Sequence, residues 1–350
     1  MPRRKTQEET LLFDDEPVRT HDPGVDAAAA RAASLPPAGD PFPLAVALVR
    51  IGTAGWMDKT ISASGVFYPP GIDTAEDRLR FYAEQFPIAE VDSTYYAIPP
   101  RRIAEIWIER SAPRFVFDVK AYALMTGHRA ESQRLPAAIR ARLPSALTEK
   151  GRIYGEDLPP FLYDEVWRLF REAVAPMQEA GRLGSVLLQY PRWFLPGERS
   201  RHIILDALQR LHGFRCAVEL RNAAWFDGST RQATLGFLAE RRIPFVMVDG
   251  PQGLGSSVPP LVAVTSPDLS IVRFHGRRVE TWESRDTTVA ERYRYLYDRG
   301  ELMEWARRVE DAASQCREVH VIMNNCYANY GTTNALEFAD LLREIAKGTR

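Results

Sequence analysis

From residue 48 onward, short apolar runs recur eight times along the chain, separated by segments of helical period. The runs cover 49–52, 88–93, 115–120, 185–189, 216–220, 244–248, 271–274 and 319–323. Most are rich in Val, Ile and Phe on both parities, as in strands of a parallel sheet covered on both faces. Between them, 74–86 places Leu79, Tyr82, Ala83 and Phe86 on one helical face behind an N-cap at Thr74. Segments 198–211, 229–241 (capped by Ser229 or Thr230) and 333–347 read the same way. Eight repeats of strand and helix predict a closed parallel (β/α)8 barrel of the TIM type, with a doubly wound open sheet as the alternative.

The barrel domain is expected over 46–350, behind a flexible, disordered tail at 1–45. The tail passes from alternating charges through Ala27–Ala30 to Leu35-Pro-Pro37, with little to bury. Its Glu9-Thr-Leu-Leu-Phe13 is an apolar knot of the groove-docking kind, against the plainer reading of chance hydrophobics in a leader. A long insertion after the third strand, about 122–162, carries Arg129, Arg134, Arg140, Arg142, Lys150 and Arg152. It and the Pro- and Gly-rich loop at 250–260 emerge where barrels keep their chemistry.

Composition sets the outer limits. Hydrophobic residues make up 45% of 350, enough for a sizeable core, and the net charge of −1 offers no whole-molecule attraction to nucleic acid or acidic membranes. Cys216, Cys316 and Cys326 show no CxxC spacing, so a disulfide scaffold or structural zinc is not expected and a reducing cytosol is. The apolar stretch at 42–49 is far short of the roughly 20 residues of a membrane span. No apolar signal region follows the basic start. A cytoplasmic protein without a membrane partner is expected.

Polar residues interrupt the apolar runs near their C-terminal ends: Glu90, Asp92 and Thr94; Asp118 and Lys120; Gln189; Glu219 and Arg221; Asp249; Arg273 and His275; Asn324 and Asn325. Buried charge costs several kcal/mol unless paired, so this recurrence predicts one polar pocket at the barrel mouth. Glu219 and His275 are the candidate acid/base pair, and Lys120 a catalytic or anion-binding amine. Arg221 and Arg273 would bind negative charge. Asp92, Thr94, Gln189, Asp249, Asn324 and Asn325 would orient a substrate, while Trp56 and Tyr96, with Tyr95, Tyr190 and Trp225, could wall the pocket. The competing reading of Glu219 and Arg221 is an internal brace. No metal is required by these residues. If a divalent ion such as Mg²⁺ or Mn²⁺ is the cofactor, His275, Glu219 and Asp249 would hold it.

Several blocks stand in order: Ile51-Gly-Thr-Ala-Gly-Trp56, Glu90-Val-Asp-Ser-Thr-Tyr-Tyr96, Phe117-Asp-Val-Lys120, Leu187-Leu-Gln-Tyr-Pro191, Val218-Glu-Leu-Arg-Asn222 with Trp225, Val272-Arg-Phe-His-Gly276 and Asn324-Asn325. Through them the chain, over roughly 48 to 345, resembles the YecE-like family, also called domain of unknown function 72. The resemblance implies a TIM-barrel-like fold with a polar cavity and no settled activity. The chain departs from the family's Thr-His pattern after the third strand, because Gly127 separates Thr126 from His128.

These residues point first to an enzyme of hydrolase or lyase type acting on an anionic, phosphate- or sugar-bearing small molecule. The basic insertion points instead to nucleic-acid binding, as in a repair-type nuclease. A non-catalytic ligand-binding barrel is the third reading.

Overall fold

The structure, a computed structural model, describes residues 22–284 and 286–348. All eight expected strands form: β1 Ala47–Ala54, β2 Ile88–Val91, β3 Val116–Lys120, β4 Leu183–Tyr190, β5 Cys216–Leu220, β6 Val246–Asp249, β7 Ser270–Phe274 and β8 Glu318–Met323. They pair in parallel in the order β5-β4-β3-β2-β1-β8-β7-β6. The two ends of that order meet where Val218 bridges Phe245 and its N–H reaches the Pro244 carbonyl at 2.9 Å. The barrel is thereby nearly closed, and the open-sheet alternative falls. At Gly52 an added Cβ would lie 1.9 Å from the Ile88 carbonyl oxygen, so the β1–β2 approach itself requires glycine there.

Outer helices are α1 Pro23–Ala32, α2 Ala75–Gln85, α3 Arg101–Glu109, α4 Pro160–Glu179, α5 Glu198–Arg210, α6 Gly228–Glu240, α7 Arg299–Ala313 and α8 Tyr330–Gly348. Thr74 caps α2 in a reciprocal box with Asp77, and Leu79 and Tyr82 are buried beneath it. Asp227, two positions before the expected Ser229 and three before Thr230, is the N-cap of α6. Between β6 and β7 the chain runs as irregular loop instead of helix.

The alternation of each strand sorts its side chains between bore and helix layer. Leu187, Ala217, Val246, Val248 and Ile271 form one apolar cluster of the bore, and Ala54, Ile88, Val116 and Ile322 another. On the outer parity, Phe274 packs edge-on against Tyr297, Trp305 and Phe338.

The expected tail at 1–45 is corrected from residue 22 onward; residues 1–21, with the Glu9–Phe13 knot, lie outside the described residues. Helix α1 packs on α8, burying Val25 and Ala28 against Tyr327, Ala328 and Tyr330. Two ion pairs hold it, Asp22 with Arg294 (2.7 Å) and Arg31 with Glu337 (2.6 Å). Residues Phe42–Leu44 add an antiparallel strand to β1. Tertiary charge pairing fixes a segment whose own composition holds too few apolar residues to signal it. Asp22 also accepts from the Gly24 N–H (3.0 Å) and Tyr327 Oη (3.0 Å). Asp22→Ala is therefore expected to cost about 1–2 kcal/mol, read as a lower urea midpoint at unchanged slope.

Candidate active site at the C-terminal mouth of the barrel

Bore-facing positions at the upper strand ends bring together Glu90 and Asp92, Lys120, Gln189, Glu219 and Arg221, Arg273 and His275, and Asn324. The arrangement has an inner, sealed layer and an outer, half-open one.

Arg273, 1% exposed, is the centre of the inner layer. Its Nη1 donates to Glu219 Oε2 at 2.6 Å and its Nη2 to Glu90 Oε1 at 2.5 Å. Glu219 Oε1 also accepts from Gln189 Nε2 (2.9 Å), Arg221 Nη1 (3.2 Å) and His275 Nε2 (3.3 Å). Burial works against the Glu219 charge, but Arg273, His275 and Arg221 outweigh it and hold the carboxyl well below its ordinary range. His275 Nδ1 accepts from Asn324 Nδ2 at 2.7 Å, so both ring nitrogens are engaged. Burial, helped by Arg221, pushes His275 down to about 3 and keeps the imidazole neutral.

Glu90 and Asp92, two residues apart at the end of β2, are driven in opposite directions. Burial pushes Glu90 well above the usual carboxyl range against the pull of Arg273, and Asp92 adds to the rise. Burial acts on Asp92 too, yet Lys120 and the bond from Glu90 bring it below its ordinary value. Among the described residues Asp92 Oδ1 has no hydrogen-bond partner, and it lies 4.0 Å from Lys120 Nζ.

The outer layer is cationic and aromatic. Lys120 (side chain 14% exposed) sits 4.6 Å from the Tyr95 ring centre, and Arg221 (18%) covers Trp282 at 4.9 Å. Tyr96 meets Tyr95 edge-on, and Trp282 meets Tyr293 and His275. Sequence reasoning missed Trp282 and Tyr293 and left open whether His128 reaches the mouth, where its ring meets Tyr95. All three lie in connecting segments rather than on strands, where no periodicity marks them.

Other expected site residues lie elsewhere. Asp249 sits on the outer parity of β6, where its carboxylate accepts from Tyr297 Oη (2.7 Å), Trp305 Nε1 (2.8 Å) and Arg277 Nε (2.9 Å). The His275–Glu219–Asp249 metal set is consequently not assembled. Among the described residues no group of three His, Cys, Asp or Glu is placed to hold an ion. Asn325 donates to the Tyr295 carbonyl and Asn334 Oδ1, both 2.8 Å, on the helix side. Trp56 packs on Trp107 and Phe117, and Tyr190 stacks on Phe194, which stacks on Trp225. Thr94 straps the mouth from within, its Oγ1 donating to the Val91 (2.9 Å) and Lys120 (2.6 Å) carbonyls. Asp118 belongs to the barrel floor, with His320 and Ser185.

Fold and site together define a TIM-type (β/α)8 barrel with a charged, aromatic-walled mouth. A family model described as "Protein of unknown function DUF72" matches residues 50–349, and the chain belongs to that family. It is 29% identical over 298 residues to the UPF0759 protein YunF of Bacillus subtilis (strain 168), spanning 84% of this chain and 95% of that one. Crystal structures of DUF72 proteins from Enterococcus faecalis V583 (TM-score 0.68, 25% identity, 84% and 95% covered) and Thermotoga maritima MSB8 (TM-score 0.66, 28%, 84% and 99%) share the fold. Among the described residues no helix is long and apolar enough to cross a membrane.

Proposed function

We propose that the chain is an enzyme of hydrolase or lyase type acting on a small polar substrate through a phosphate- or carboxylate-like anionic group. One observation carries the reading: two partly exposed cations, Lys120 and Arg221 (the latter also bonded to Glu219 at 3.2 Å), lie beside an inner layer in which Arg273 joins Glu219 and Glu90. Among the described residues Lys120 has a carboxylate at 4.0 Å and an aromatic face, so an anion would gain more from it than these neighbours do. Arg221 supplies a second donor set. Asp92, ionised and with a free oxygen, takes the proton of an attacking water or of the substrate carbon. Glu219 and His275 hold position in this reading, because every donor and acceptor they carry is occupied.

The nucleic-acid reading has weaker support. In the insertion Arg134 and Arg152 pair with Glu131, and Lys150 pairs with Asp157. Arg129 and Arg142 cover Tyr154 and Phe161, which leaves a fragmented basic surface.

Calorimetric titration with inorganic phosphate tests the proposal, together with turnover of p-nitrophenyl phosphate as a generic ester. Wild type should bind phosphate, and Lys120→Met should bind it roughly 10- to 100-fold more weakly, the effect of losing a charge-assisted bond. Binding without turnover of any ester offered would favour a ligand-binding barrel. No phosphate binding at all would sink the anionic-substrate reading.

A further inference from the structure

The insertion after β3 sends one histidine back to the mouth. Directly after β3 the chain makes a 3₁₀ turn at Ala123–Thr126, and Gly127 takes φ +75°, a left-handed step that reverses the backbone. The His128 N–H then closes on the Ala123 carbonyl at 3.0 Å. The added Gly127 thus delivers the imidazole to the site instead of displacing it. His128 Nδ1 is held by Thr126 Oγ1 (3.0 Å), and the ring stands edge-on between Tyr95 (5.2 Å) and Trp193 (5.7 Å), the latter 55% exposed. Tyr95 is also the ring that carries Lys120, so imidazole and ammonium both contact one aromatic ring.

We infer that His128 is a further acid–base residue of this site, whose Nε2 takes up a proton when an anionic group settles between Lys120 and Arg221. The inference rests on the anionic-substrate reading above and adds the proton inventory. Among the described residues, three charged groups act on the ring. Lys120 on β3 and Arg221 after β5 disfavour the imidazolium and Glu219 on β5 favours it, while Tyr95 and Trp193 supply uncharged faces. Burial first, then those two cations, push His128 down to about 3, so the ring is neutral in the empty site. A bound dianion screens both cations and adds attraction of its own, which raises the imidazole's proton affinity. In a turnover by hydrolysis, the water that gives its proton to Asp92 forms the new bond to the central atom of the anionic group as the bond to the leaving oxygen breaks. The electron pair of the broken bond stays on that oxygen, which takes the proton from Nε2, and the ring returns to neutral.

Sulfate is the probe, because it is a tetrahedral dianion that does not itself titrate near neutrality. Titration calorimetry in two buffers of different ionisation enthalpy at pH 5.5 reads the protons taken up per sulfate bound. Wild type should take up a large fraction of one proton and bind more tightly as pH falls, by up to roughly tenfold per unit. His128→Gln, with His128→Asn as a second variant, should still bind sulfate through Lys120 and Arg221. In both variants proton uptake should be near zero and the pH dependence flat. Sulfate binding without uptake, or with uptake unchanged in both variants, overturns the role of His128 and leaves the anion site standing. No sulfate binding by wild type overturns both.

Discussion

Arg273→Met is expected to destabilise the protein by about 3–5 kcal/mol, the cost of stripping one partner from a buried ion network. The guanidinium donates to Glu90 Oε1 and is the closest of the four donors to Glu219, at 2.6 Å. Methionine fills much of the volume but leaves the Glu219 carboxylate and its neighbours without their central cation. Urea unfolding of the variant should show a midpoint lower by that amount at unchanged slope. Adding Glu219→Gln to Arg273→Met should recover a substantial part of the loss, because an amide in the same place no longer carries a charge into the bore. A variant within about 0.5 kcal/mol of wild type would mean the trio is hydrated and the sealed inner layer does not exist. The triple change Arg273→Met, Glu219→Gln, Glu90→Gln separates charge from shape in part, since both Glu→Gln changes keep side-chain length and the three together remove the guanidinium and its two carboxyl partners.

The same network explains what was legible in the chain and what was not. Strands in a parallel barrel are covered on both faces, so runs such as 271–274 and 319–323 are apolar throughout and announce themselves. For the same reason they conceal which parity faces inward. Val246-Met-Val-Asp249 is as apolar on one face as on the other, and its terminal Asp249 turns to Trp305 and Tyr297 in the helix layer. Asn325 follows the outer parity in the same way, beside the inward Asn324. Where a charge stood two residues from another charge, as in Glu219–Arg221 and Arg273–His275, the shared face could be read directly. Whether a group was spent or free could not, because Gln189, Asn324 and Arg273 reach Glu219 and His275 from different strands. Trp56 lies beyond Gly55, whose φ of +87° turns the chain out of the strand, so strand parity no longer applies and the ring enters the packing between β3 and α3. His128 depends on a single left-handed glycine inside a long insertion, a geometric fact with no periodic signature.

The floor of the barrel carries a second buried pair, and its loss should be visible as a change in how stability depends on pH. His320 Nδ1 lies 2.9 Å from Asp118 Oδ2, Ser185 Oγ donates to Asp118 Oδ1 at 2.9 Å, and His320 Nε2 lies 3.5 Å from Glu318. Glu318 in turn is held by Arg50 (2.8 Å) and Arg215 (2.7 Å). Burial opposes the charge on His320, but Asp118 and Glu318 prevail and raise its proton affinity above the ordinary histidine value of 6.5. A raised folded-state value means the proton stabilises the fold. That contribution is complete below the ordinary value and disappears as pH rises through the folded one. Glu318 works in the opposite window. Burial raises it, yet His320 and the two arginines hold it far below the ordinary 4.5, so its contribution is present above that value and is lost in acid. Asp118→Asn should therefore cost about 3 kcal/mol near pH 6, where it leaves a buried imidazolium with one distant carboxylate. The gap from wild type should narrow at alkaline pH, once His320 is neutral in both proteins. Chemical denaturation of wild type and Asp118→Asn at closely spaced pH values between 5.5 and 9 reads this directly. A gap that stays constant over the whole range would show that His320 never carries the charge, and the floor would then be a neutral hydrogen-bond network whose stability has no histidine titration in it.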